Sequence, residues 1–123
     1  MQCAAREVLT LAPSRLAPAQ ARRAVHDFAV AVSPSAARTA ELLASELVTN
    51  AVTHGRGSVR VVMEYDTDGL AVTVSDEEPS PPVVSDGPVS ATSGRGLRLV
   101  DVLSSDWGVV RGRTGKGVWF RLA

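Results

Sequence analysis

A chain of 123 residues, 45% hydrophobic and 21% charged, can bury one real core and is too apolar to be disordered. Thirteen basic residues balance thirteen acidic ones, which removes the electrostatic case for direct nucleic-acid binding or a polybasic membrane anchor. The one cysteine, Cys3, excludes an internal disulfide and a cysteine metal cage, and fits a reducing cytosol.

The first residues, 1–12, carry Arg6 and Glu7 and no long apolar core, so they do not read as a signal peptide. No run approaches the roughly 20 apolar residues of a membrane span. Residues 6–11 alternate weakly and are expected to form a first strand at a sheet edge. Pro18 opens a helical segment in which Ala21, Val25, Phe28, Ala29 and Val32 recur at helical spacing. Ser33-Pro34 is a start signal, with Ser as N-cap and Pro in the first turn. The second helix is expected over residues 34–54, stopped by Gly55-Arg56-Gly57.

Residues 58–65 (SVRVVMEY) are rich in β-branched side chains, Asp66-Thr67-Asp68-Gly69 is a turn, and residues 70–75 (LAVTVS) alternate cleanly. Together they predict a β-hairpin. A long, proline-containing loop follows, over residues 77–95. Leu97, Val100 and Leu103 then recur at helical spacing. Residues 107–111 and 118–122 predict two more strands joined through Gly112 to Gly117. The pattern has no internal repeat and is expected to form one domain over residues 5–122. Helices on one face of a mixed, mostly antiparallel sheet would make an α+β two-layer sandwich.

The chemistry concentrates on the second helix. Glu46, Asn50 and His54 fall within roughly 80° of one another at helical spacing, and share that arc with Leu42, Leu43 and Leu47. An acid and an amide among leucines are unfavourable to bury without partners. A hard cation with its phosphates would supply them: Asn oxygen suits magnesium, and Glu can orient a water or act as a base. The plainer reading puts both on the edge of the apolar stripe, facing solvent.

Four further features follow in the chain. Asp76 ends an otherwise apolar strand, where a carboxylate can accept a hydrogen bond from an exocyclic amine such as that of adenine, worth about 1.5–3 kcal/mol. Gly94-Arg95-Gly96-Leu97 sets a glycine pair before a helix, where backbone amides attract anions. The segment between Asp76 and Gly94 lies where it would close over a ligand. Gly115-Lys116-Gly117 stands just before the last strand, with Lys116 in reach of a phosphate. Each has a plain alternative: a solvated strand-end acid, a turn, a linker, and a turn with a solvated lysine. The chain has no GxxxxGK[ST] loop and no GxGxxG after a strand. His26 and His54 have no cysteine partners for a zinc site.

Read in order, the helix E-x-x-x-N, the strand-end Asp, the loop, G-x-G-L and the final G-x-G resemble the ATPase superfamily of gyrase, heat-shock chaperone, histidine kinase and mismatch-repair ATPases. The phrases ELVTNAVTHG and SGRGLRLVDVLSSDWGV look closer to one branch, the bacterial anti-sigma-factor serine kinases and their small actinobacterial relatives. The resemblance implies a Bergerat-type fold that binds ATP and Mg²⁺. Asn50 would hold the metal and Glu46 would be the general base. Asp76 would contact the adenine amine, and His54 would lie near phosphate. Gly94, Arg95, Gly96 and Leu97 would close on the phosphates, and Gly115, Lys116 and Gly117 would form the far wall. The superfamily reads D-x-G-x-G after the adenine strand, whereas this chain reads Asp76-Glu77-Glu78-Pro79-Ser80. Pro79 fixes its own backbone, and two adjacent acids repel polyphosphate.

The expected activity is transfer of the ATP γ-phosphate to a Ser or Thr of an anti-sigma antagonist of the STAS type, with sequestration of a sigma factor, in the cytoplasm. Relatives in this branch often pair, and the first strand and first helix are the candidate contacts for a homodimer, but the sequence leaves the oligomeric state open. Two rival readings stand beside it. One is a catalytically inactive module that sequesters a regulator and responds to nucleotide. The other is an ATPase domain that works beside a separate phosphoacceptor protein.

Overall fold

The computed structural model describes residues 4–78 and 95–123. Five strands and three α-helices follow one another in the order expected. They are β1 (Ala5–Leu11), α1 (Ala17–Val32), a short 3₁₀ turn (Pro34–Ala36), α2 (Ala37–His54), β2 (Val59–Asp66), β3 (Gly69–Asp76), α3 (Arg95–Leu103), β4 (Asp106–Gly112) and β5 (Gly115–Leu122). The sheet order is β1-β2-β3-β5-β4, and every neighbouring pair is antiparallel. β1 therefore lies at an edge, as its weak alternation suggested.

The alternation of apolar residues decides which face of the sheet is covered. Val61 pairs with Val74 and Met63 with Val72, while Val72 and Val74 pair onward with Phe120 and Val118. All six are buried, and they line one face. α1 and α2 pack on that face and on each other. Both helices carry small buried residues there, Ala21 and Ala29 on α1 and Ala40 and Ala44 on α2, which let the backbones approach closely. Burying a side chain the size of Phe28 contributes roughly 1.5–3 kcal/mol. None of the described helices is long and apolar enough to cross a membrane.

Two boundaries differ from expectation. Ser33 makes no side-chain cap bond. Its carbonyl instead accepts the Ala36 N–H at 3.0 Å, and a tight turn precedes α2. Proline at the start of that turn lacks the N–H that would oppose it. The second difference concerns Gly115, Lys116 and Gly117, expected before the last strand. They lie inside β5, and Arg113-Thr114 is the turn. Pairing of Ser75 with Gly117 and Asp76 with Lys116 extends the ladder past residues of poor strand propensity.

The β2–β3 hairpin turns on Thr67-Asp68 between the paired Asp66 and Gly69. The Asp68 N–H donates to Asp66 Oδ1 at 2.8 Å. Gly69 has φ +115°, and a Cβ there would lie 2.2 Å from the Leu122 carbonyl oxygen, so only glycine closes this corner.

Candidate functional site

α2 has three distinct sides. Its buried stripe runs through Leu43, Ala44, Leu47, Val48 and Ala51. On one flank Glu41 pairs with His26 of α1, Oε2 to Nδ1 at 2.9 Å. On the opposite flank stand Glu46 and Asn50, one turn apart and partly buried. Neither has a side-chain hydrogen bond or ion pair among the described residues. Both thus sit where the apolar stripe meets its edge, with their polar atoms uncommitted. His54, at the last turn, is exposed.

The strand end is organised in the opposite way. β3 buries Leu70, Val72, Val74 and then Asp76 in strict alternation, so the carboxylate lies on the core face. Asp76 is the buried charged residue of the described chain. A buried carboxylate is unfavourable unless it is paired and hydrogen-bonded. Lys116, opposite it on β5, supplies the charge. Its Nζ lies 3.2 Å from Oδ1 and 3.1 Å from Oδ2, and the two side chains are only 11% and 5% exposed. The Glu78 N–H adds a third bond to Oδ1 at 2.7 Å.

Glycines crowd this carboxylate. A Cβ on Gly55, at the end of α2, would lie 2.4 Å from Asp76 Oδ2, and one on Gly115 would lie 2.0 Å from the Asp76 carbonyl oxygen. Gly55 therefore brings the C-terminus of α2 directly against the end of β3. Gly57 has φ +73° and faces the Glu77 carboxylate. That carboxylate accepts the Ser58 N–H at 2.5 Å, and the Glu77 N–H donates to the Arg56 carbonyl at 2.8 Å. Glu78 meets the Arg56 guanidinium at 3.3 Å. The two acids expected to repel polyphosphate are thus both held by the α2–β2 connection, Glu77 by a backbone amide and Glu78 by a guanidinium.

The remaining expected residues fall as follows. Gly94 lies outside the described residues, as does the loop from residue 79 onward. Arg95 and Gly96 open α3, and Leu97 is buried on it. α3 packs against α2 and β4, and the Trp107 indole N–H donates to Asp101 at 2.9 Å to tie α3 to β4. The fold therefore joins Asp76, Lys116, Gly115 and the end of α2 in one cluster, with Asn50 and Glu46 further back along the same helix. Lys116 is engaged by Asp76, so contact with a phosphate would need that pair to part. From the sequence alone Gly55 and Gly57 read only as a helix stop. The signal for their role was the second glycine, since one suffices to end a helix.

The donor set bears on metal binding. Among the described residues no three His, Cys, Asp or Glu side chains gather to hold an ion. Asn50 offers a single hard oxygen, which fits a cation that arrives with phosphate oxygens as its other ligands.

The sequence profile described as the histidine kinase-like ATPase domain matches residues 9–122. Among solved structures, the chain is similar to a crystal structure of the RsbU and RsbW domains of Rv1364c from Mycobacterium tuberculosis. The TM-score is 0.72 at 20% identity, over 96% of this chain and 32% of that one. At that identity the likeness establishes the fold, and the chain spans about a third of the larger protein. No curated protein matches the chain.

Proposed function

The chain belongs to the histidine kinase-like ATPase family, and from that premise we propose that it is a cytoplasmic ATP-binding regulatory protein of the anti-sigma-factor kinase type. The observation that carries this reading is the Gly55 contact. It sets the C-terminal end of the helix bearing Glu46 and Asn50 against the buried Asp76 carboxylate, which supports a single ligand shared by the helix and the strand end.

In this reading Asp76 accepts the exocyclic amine of adenine, and its burial strengthens that bond. Asn50 holds Mg²⁺ through its side-chain oxygen. The metal, when bound with ATP, neutralises charge on the phosphates. Glu46 accepts the hydroxyl proton of a Ser or Thr on an anti-sigma antagonist of the STAS type. Arg95 and Gly96 supply backbone amides to the phosphates at the start of α3, with Leu97 anchoring that helix in the core, and Gly94 joins them in closing on the phosphates. His54 borders the phosphates, and Gly115 and Gly117 wall the base. The antagonist and a sigma factor would compete for the protein.

A second reading is favoured by Glu78 and Ser80, which stand where the superfamily motif has its two glycines, with Pro79 between them. In it the fold binds nucleotide and sequesters a regulator without phosphate transfer. Incubation with labelled ATP and antagonist proteins encoded nearby separates the two. Label should reach an antagonist Ser or Thr with wild type and not with Glu46→Ala, while ATP binding survives the substitution. Equal transfer by the variant rejects the base role, and no transfer by wild type favours the binding module.

A further inference from the structure

We propose that Lys116 reads the ring edge of the bound base beside Asp76, so that the two side chains together recognise an amine next to a ring nitrogen. The inference rests on the reading of Asp76 as the base contact and extends it to a second residue.

The hydrogen-bonding capacity of the pair carries the argument. A carboxylate offers roughly four acceptor positions and an ammonium three donors. Among the described residues Asp76 accepts from the Glu78 N–H and twice from Lys116, and Lys116 gives two donors to Asp76. One acceptor position and one donor remain, on atoms 3.1 Å apart. An acceptor beside a donor complements an edge that presents a donor beside an acceptor. Adenine has that edge in its 6-amino group and N1. Lys116 thus keeps its contact with Asp76 while donating to N1, and no buried charge loses its partner.

Lys116 is suited to the role because, among the described residues, Asp76 alone engages its ammonium. It is the only lysine of the chain. The strand register sets it opposite Asp76. A lysine kept only to neutralise Asp76 would be indifferent to the ring nitrogen.

The test uses ATP and 1-deaza-ATP, in which N1 is a C–H and the amine is retained. Wild type should bind ATP about tenfold or more tightly than the deaza analogue, the scale of one hydrogen bond to a charged group. Lys116→Met should bind the two equally. Nitrogen-15 labelling of lysine gives a single side-chain ammonium signal in wild type, which ATP should shift and the analogue should leave nearly in place. Equal affinities in wild type with an unmoved ammonium signal would overturn the proposal even if the variant does not fold. If those equal affinities are both lost in Asp76→Asn, the base contact stands and Lys116 alone is removed. Wild type that binds neither ligand removes the Asp76 reading and this inference with it.

Discussion

Asp76 and Glu46 are both carboxylates bordering apolar stripes, yet the molecule treats them oppositely. Asp76 is buried at the end of β3 and holds Lys116 and the Glu78 amide. Glu46, half-covered on the flank of α2, has no partner among the described residues, and neither has Asn50 a turn further on. Burial explains the contrast. A fully desolvated carboxylate must be paired, whereas one at the rim of the core can rely on water until a ligand arrives. The strand-end pair therefore maintains the fold, while the flank of α2 holds Glu46 and Asn50 without a side-chain partner among the described residues.

Substitutions can break that contrast. The largest effect is expected at Asp76. Asp76→Ala leaves the Lys116 ammonium buried alone and should lower the unfolding free energy by about 3–5 kcal/mol in urea. A loss near zero would mean that the pair is open to water. Gly115→Ala comes next. Its Cβ would lie 2.0 Å from the Asp76 carbonyl oxygen, a backbone contact that cannot rotate away. A loss of about 1–3 kcal/mol is expected by the same measurement. The smallest effect is expected on the helix flank. Glu46→Ala and Asn50→Ala should each change stability by less than about 0.5 kcal/mol. A larger loss would show that these side chains already have structural partners.

Much of this arrangement was legible in the chain itself. The clean alternation of Leu70, Val72 and Val74 marked β3 with Asp76 at its end, and the structure continues that alternation so that Asp76 falls on the buried face. Helical spacing located α1, and it put Glu46 and Asn50 on one arc beside Leu43 and Leu47. What escaped depended on contacts between distant segments. Asp76 meets Lys116 only through the β3–β5 register, which no local pattern encodes. Glycine and lysine have weak strand propensity, so Gly115 to Gly117 read as a turn until pairing overrode it. Gly55 looked like a helix stop because its other role, making room for Asp76, exists only when α2 meets β3. The fate of Glu77 and Glu78 was hidden for the same reason, since Ser58 and Arg56 reach them across the fold.

The central claim is that the helix flank and the strand end serve one MgATP site, and isothermal titration of wild type and Asn50→Ala, with and without magnesium, tests it most directly. The expected result is saturable, magnesium-dependent binding by wild type and loss of the metal dependence in the variant, which remains folded. Binding that ignores both magnesium and Asn50, or no binding by wild type, would contradict it.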